Sequence, residues 1–175
     1  MIYDYVECNA YSYASEDDDL WLAFYRKAFP TMVETYVNRD DIERQLQGRD
    51  RVIILSNRRK VFIDEKKIRH DWPNILLEYI SNDVTGTPGW IEKDLSIDYL
   101  AYAFVPARRI HLYPWLLLKS AWREFGQEWK STFRNIPAKN YGRKGEPNYT
   151  TWSVAVPFDE LERGIAHQFR VQVPF

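Results

Sequence analysis

The chain has 175 residues, of which 45% are hydrophobic and 16% aromatic; this predicts one compact domain spanning residues 1–175 and excludes a disordered chain. No long apolar run exists and the N-terminus is neither basic nor apolar, so we expect a cytoplasmic protein with no membrane span and no signal peptide. The single cysteine, Cys8, excludes an internal disulfide and a cysteine-cluster zinc site, and the three histidines lack metal-ligand spacing.

Charge is unevenly distributed, although the formal net charge is only −1. Residues 1–50 carry 11 acidic and 5 basic side chains, a net −6, which leaves +5 for the rest of the chain. The most basic stretch, residues 119–144, has seven basic side chains against two glutamates: Lys119, Arg123, Lys130, Arg134, Lys139, Arg143 and Lys144. This stretch could bind phosphate, and a solvated helix with mixed charges is the alternative interpretation.

The predicted elements follow from apolar spacing, caps and turn residues. An amphipathic helix is capped by Ser15 and ends at Pro30. The later elements, in chain order, are a strand over 31–37, a short connector helix over 38–48, a central hairpin of 52–55 and 61–68, strands at 75–81, 97–105 and 109–115, a helix over 116–133, a basic loop over 134–149, a strand at 150–157, a helix over 158–169 and a closing strand or tail at 170–175. This order predicts an α/β fold with a mixed central sheet of about five strands flanked by helices.

The predicted strand 61–68 contains four consecutive charged residues, Asp64-Glu65-Lys66-Lys67. A buried charge must be paired, hydrogen-bonded or bound to a metal. Strand alternation places Asp64 with Lys66 on one face and Glu65 with Lys67 on the other. With Asp50 from the neighbouring strand, either pair could bind Mg²⁺ or Mn²⁺ through carboxylates and place a lysine at a phosphate. The alternative is a strand that leaves the core, with its charges paired at the sheet edge.

Asp50, followed after an interval by Asp64-Glu65-Lys66 in a hairpin, resembles the PD-(D/E)xK nuclease superfamily, which includes restriction endonucleases and archaeal Holliday-junction resolvases. The stretches "DRVIIL", "FIDEKKIR", "ILLEYIS", "GWIEK" and "DYLAYAF" resemble more closely small nuclease-like proteins of bacteria and phages. The resemblance covers residues 15–68 best. Two departures are Arg49 in place of the proline common before the first acid, and a loop with strand 75–81 in place of the helix expected after the lysine strand.

The resemblance implies a restriction-endonuclease-like core and a metal-dependent nuclease. It favours Asp50 and Asp64 as metal ligands and Lys66 as the catalytic lysine, with Glu65 and Lys67 as the alternative pair. Glu78 could be an additional metal or base carboxylate. DNA is favoured over RNA by resemblance alone.

Other residues are candidates for nucleic-acid contact. Lys139, Arg143 and Lys144 could bind phosphate, and Trp90, in a predicted loop, could stack on a base. Because the net charge is modest, we expect a duplex contact to be local or completed by a homodimer. The competing functions are a catalytically silent nuclease-fold module that binds nucleic acid or a protein, and a structural protein with an aromatic oligomer interface.

Overall fold

The computed structural model describes residues 18–38, 47–141 and 146–169. The described helices are α1 (Asp18–Ala28), α2 (Trp115–Thr132) and α3 (Phe158–His167). The described strands are β1 (Met32–Val37), β2 (Arg51–Leu55), β3 (Lys60–Ile68), β4 (Asn74–Asn82), β5 (Thr87–Pro88), β6 (Tyr99–Phe104), β7 (Arg109–Pro114), β8 (Asn135–Tyr141) and β9 (Pro147–Pro157). The mixed α/β class predicted from the sequence is confirmed.

The described strands form two sheets, each in its own compact unit. The five-stranded unit contains residues 18–38, 47–71 and 94–115, and the four-stranded unit contains residues 72–93, 116–141 and 146–169. The expectation of one central sheet is therefore corrected, because β4 pairs with β9 and not with the strands around the hairpin. A single domain over residues 1–175 stays a prediction.

The five-stranded sheet has the order β1-β2-β3-β6-β7. Strands β1, β2 and β3 are antiparallel neighbours, β3 and β6 are parallel, and β6 and β7 are again antiparallel. The predicted hairpin of β2 and β3 is present, and its turn contains Arg58 with φ of 65°. The Asn57 side-chain oxygen accepts a hydrogen bond from the Arg59 backbone N–H at 3.0 Å, a common way to close a short turn.

Helix α1 packs on one face of this sheet. Trp21 and Tyr25 lie one helical turn apart, stack with ring centroids 5.8 Å apart and are fully buried. The strand residues of this core are Ile53, Val61, Ile63, Ala101 and Ala103. Alanine at two positions of β6 leaves room for the large rings of the helix. This packing fixes which face of β3 is covered by α1.

The four-stranded sheet has the order β5-β4-β9-β8 and is antiparallel throughout. Its unit also contains α3 and all of α2 after the first residue. Gly164 of α3 allows the close approach of α2, since a Cβ there would lie 2.8 Å from Trp129 Cζ2. The predicted basic loop over 134–149 is wrong for residues 135–141, which form strand β8, and for residues 147–149, which form the start of β9.

Several predicted features lie outside the described residues: the Ser15 cap, residues 39–46 of the connector helix and the tail at 170–175. Among the helices that the structure describes, none has the length and apolar character needed to span a membrane.

Candidate active site

The start of β2 and the middle of β3 bring two aspartates together. Arg51 pairs with Ile63 in the antiparallel register, so the preceding residue, Asp50, lies opposite Asp64. The Glu65 backbone N–H donates a hydrogen bond to Asp50 Oδ2 at 2.9 Å. Two acids on adjacent strands of one hairpin thus become neighbours on one face of the sheet.

Lys66 lies on the same face as Asp64 because strand side chains alternate. Its Nζ contacts Asp64 Oδ1 at 2.7 Å, and its side chain is 30% exposed, whereas the Asp64 side chain is 3% exposed. The other oxygen, Asp64 Oδ2, is buried and accepts no hydrogen bond from any N–H or hydroxyl group of the described residues. Asp64 therefore has one oxygen paired with the Lys66 ammonium and a second, Oδ2, that receives no N–H or hydroxyl bond from the described residues.

The environment raises the pKa of Asp50 to about 7. Burial is the largest cause, and the negative charge of Asp64 is the second. Lys66 acts in the opposite direction, a side-chain hydrogen bond with Asp64 raises the pKa further, and the Glu65 backbone N–H lowers it. Ionisation of one carboxyl group therefore disfavours ionisation of the other. This behaviour is expected where two carboxyl groups share a proton or another cation.

Glu65 faces helix α1 and is part of a separate buried network. Arg51 Nε contacts Glu65 Oε1 at 2.5 Å, with the two side chains 5% and 10% exposed. The Tyr25 hydroxyl donates to the same oxygen at 3.0 Å, and the Arg51 guanidinium lies 5.5 Å from the Tyr25 ring centroid. Burial, followed by the charge of Glu65, holds the pKa of Tyr25 well above its usual range.

This network was not predicted, since the sequence alone could not show which face α1 covers. It places Glu65 in a structural ion pair, and Lys67, the other half of the alternative pair, is half-buried on the same strand. The geometry therefore favours Asp64 and Lys66 over Glu65 and Lys67 as the pair that accompanies Asp50.

Glu78 lies in β4 of the four-stranded sheet, opposite Ser153, and is half-buried. It belongs to a different sheet from Asp50 and Asp64. The sheet pairing gives no support to the prediction that Glu78 is an additional carboxylate of the site.

The candidates for nucleic-acid contact have different outcomes. Lys139 is exposed on β8, and Arg143 and Lys144 lie outside the described residues. Trp90 is 9% exposed and belongs to the core, so it does not present the open ring that stacking on a base requires. The prediction for Trp90 is corrected, because the loop that carries it is held against β4 by an Ile91 N–H bond to the Glu78 carbonyl.

Two lysines of the basic stretch are held against other residues of their own unit. Lys119 is buried, and its Nζ donates to the carbonyl oxygens of Ile91 and Lys93, both at 2.9 Å. Lys130 lies 5.4 Å from the Tyr79 ring centroid. These two lysines therefore have structural contacts within the four-stranded unit.

The acidic residues are compatible with a divalent cation. No group of three or more metal-binding side chains occurs among the residues that the structure describes. Mg²⁺ is commonly bound through one or two carboxylates, with water and substrate phosphate as the remaining ligands. Asp50 and Asp64 supply two carboxylates, and the buried Asp64 Oδ2 supplies an acceptor that lacks a donor. The donor set fits Mg²⁺ or Mn²⁺.

No protein-family model, curated protein or solved structure matches this chain.

Proposed function

We propose that this protein is a metal-dependent nuclease that hydrolyses phosphodiester bonds, with DNA as the favoured substrate. The observation that supports it most is the juxtaposition of Asp50 and Asp64 with Lys66 on one face of the β2–β3 hairpin. Two adjacent carboxylates can hold a divalent cation for metal-assisted phosphodiester hydrolysis, and a nearby lysine can stabilise the charge that develops on the phosphate.

The fold supports the same proposal. Helix α1, strand β1 and the β2–β3 hairpin follow the order of the PD-(D/E)xK proteins, and a restriction-endonuclease-like core is proposed on this basis. The departure lies after Lys66, where β4 enters another sheet before β6 returns to pair with β3. Lys66 remains next to a parallel strand, with Tyr102 of β6 as its register partner.

Each residue has a distinct role in the proposed reaction. Asp50 and Asp64 would bind Mg²⁺ or Mn²⁺, which when bound supplies a Lewis acid that lowers the pKa of water. Lys66 would orient the attacking water or stabilise the negative charge that develops on the phosphate. Its side chain is 30% exposed and could contact substrate, whereas Asp64 is buried and Asp50 is half-buried.

A catalytically silent module is the second candidate, and the state of the charged groups favours it. The Lys66 ammonium neutralises Asp64, and the raised pKa of Asp50 keeps this group protonated below about pH 7. The net charge of Asp50, Asp64 and Lys66 together can therefore be zero without a divalent cation. Such a module would bind nucleic acid or a protein through the same surface.

The test is a calorimetric titration of Mg²⁺ and of Mn²⁺ into the wild type. Cleavage of labelled single-stranded, duplex and branched DNA and of RNA is then measured with each cation. Asp64→Asn should abolish both cation binding and cleavage, whereas Lys66→Met should abolish cleavage and leave cation binding. Glu34→Gln is a matched control, since Glu34 is exposed on β1 of the same sheet. Binding of DNA by a wild type with no cation affinity and no cleavage would favour the silent module. A cytoplasmic location and a homodimer stay predictions.

A further inference from the structure

Arg49, the residue before Asp50, has a tightly held backbone. The Asn38 side-chain amide donates to the Arg49 carbonyl oxygen at 2.8 Å, and the Asn38 backbone N–H donates to the Asp50 carbonyl oxygen at 2.8 Å. On the other side, the Ser96 N–H donates to the Gln47 carbonyl oxygen at 3.2 Å. The segment that carries Arg49 is thus bonded to two other parts of the five-stranded unit.

Gly48 makes this arrangement possible. Its φ of +73° is in the left-handed region, where a side chain is strained. A Cβ at this position would also lie 2.9 Å from Leu95 Cδ1. Glycine therefore allows the chain to turn immediately before Arg49 while remaining in contact with residues 95–96.

The Arg49 side chain is fixed at two points. Its Nε donates to the Ser96 carbonyl oxygen at 3.0 Å, and its Cζ lies 4.4 Å from the centroid of the Phe62 ring. Phe62 lies two residues before Asp64 and therefore on the same face of β3. The bond to Ser96 uses Nε and leaves the two terminal nitrogens, Nη1 and Nη2, able to donate to a further acceptor.

We propose that Arg49 binds a phosphate of the nucleic-acid backbone beside the Asp50 and Asp64 pair, and this inference rests on the nuclease function proposed above. A guanidinium end with two parallel N–H groups matches two phosphate oxygens. Its positive charge would offset the repulsion between a phosphate and the nearby aspartates. A phosphate contact fixes the position of the substrate and contributes affinity without reading its sequence. Arg49 is therefore a positioning residue for the proposed reaction.

The experiment compares Arg49→Met, Arg49→Lys and a control, Arg26→Met, in the full chain. Arg26 is exposed near the end of α1. This helix packs on the face of the sheet opposite to Asp64 and Lys66. Equilibrium binding of short labelled single-stranded and duplex DNA is measured over a series of salt concentrations without a divalent cation. Cleavage kinetics are measured separately with Mg²⁺, and thermal unfolding shows whether each variant folds.

The affinity for DNA falls as salt rises, and Arg49→Met should make the plot of log affinity against log salt shallower. The expected change is about 0.7 on single strands and about 0.9 on duplex, the value of one lost phosphate contact. Arg49→Met should also raise KM about ten-fold with a smaller change in kcat, as for the loss of one charge-assisted bond. Arg49→Lys retains the charge and the salt slope but loses the bond to Ser96, so it should raise KM. This variant supports or overturns the inference if Arg49→Met does not fold.

The outcomes separate the two proposals. If the wild type binds DNA with an Arg49-dependent slope but cleaves nothing, the phosphate site stands and the nuclease proposal fails. If the wild type cleaves, Arg49→Met matches Arg26→Met in slope and both Arg49 variants match it in KM, the phosphate site is overturned and the nuclease proposal stands. Failure of the wild type to bind DNA overturns the phosphate site.

Discussion

The titration of Asp50 provides the sharpest test of the site geometry. Burial and the charge of Asp64 raise its pKa to about 7 from a reference of 3.8. Asp64→Asn removes the charge and leaves the burial, so the pKa of Asp50 should fall but remain above the reference. Lys66→Met removes the opposing positive charge, so the pKa of Asp50 should rise further.

The sign of the effect on stability follows from the direction of the shift. Because the folded state holds the proton more tightly than the unfolded chain, protonated Asp50 stabilises the folded state at low pH, and this contribution is lost as pH rises from about 4 through about 7. A difference of about three pKa units corresponds to about 4 kcal/mol, more than half of which is lost between about pH 5 and about pH 8. Asp50→Asn carries no titrating group, so its free energy of unfolding should lack this decline.

The assay is ¹³C NMR of the aspartate carboxyl carbons from about pH 4 to about pH 9, in the wild type and in the Asp64→Asn and Lys66→Met variants. Urea unfolding of the wild type and Asp50→Asn over the same range measures the stability difference. Glu34→Gln serves as the control, since its side chain is exposed and should leave the Asp50 titration unchanged. An Asp50 pKa near 4 in the wild type, or no response to Asp64→Asn, would refute the proposed proximity of the two carboxyl groups.

Two further predictions concern stability. Breaking the buried ion pair with Arg51→Met or with Glu65→Gln should lower the free energy of unfolding, measured in urea, by about 3–5 kcal/mol. The double variant Arg51→Met, Glu65→Leu should recover most of this loss, because it leaves no unpaired buried charge. Equal losses in all three variants would contradict a paired buried charge. Gly89→Ala should lower the free energy of unfolding by more than about 2 kcal/mol, because a Cβ would overlap the Glu78 carbonyl. Gly86→Ala, where a Cβ meets no atom but φ is +68°, should cost only about 1 kcal/mol in the same denaturation experiment.

Local sequence signals predicted the elements around the site and much of the site itself. Residues 52–55 and 61–63 are apolar, flank a turn with Asn57 and lie in the two strands of the observed hairpin. Once these strands pair as a hairpin, Asp50 and Asp64 become opposite neighbours and Lys66 follows on the same face. These relationships depend on contacts between segments close in sequence, which is why they could be deduced.

Features that depend on distant pairing were not predicted. Strand β4 reads as a strand, but its partner β9 is more than 70 residues away, so its membership of another sheet is not visible locally. Strand β8 contains Pro137 and three polar residues, Asn135, Lys139 and Asn140, so its sequence resembles a loop until the pairing with β9 is known. The placement of the Arg49 guanidinium over Phe62 likewise requires the bond to Ser96.

The charged run of β3 contains both structural and candidate functional residues, distinguished by how fully their atoms are bonded. Glu65 Oε1 accepts hydrogen bonds from Arg51 and Tyr25 beneath α1, as expected of a residue whose role is to hold the sheet. Asp64 is more deeply buried, with its side chain 3% exposed against 10% for Glu65, yet its Oδ2 has no N–H or hydroxyl donor in the described chain. When Asp50 is ionised and cannot donate a hydrogen bond to Asp64, a buried acceptor in this state costs about 1–3 kcal/mol. A group that contributes only stability gains nothing from that cost, whereas a carboxylate that must bind a cation needs an oxygen that the protein has not already bonded.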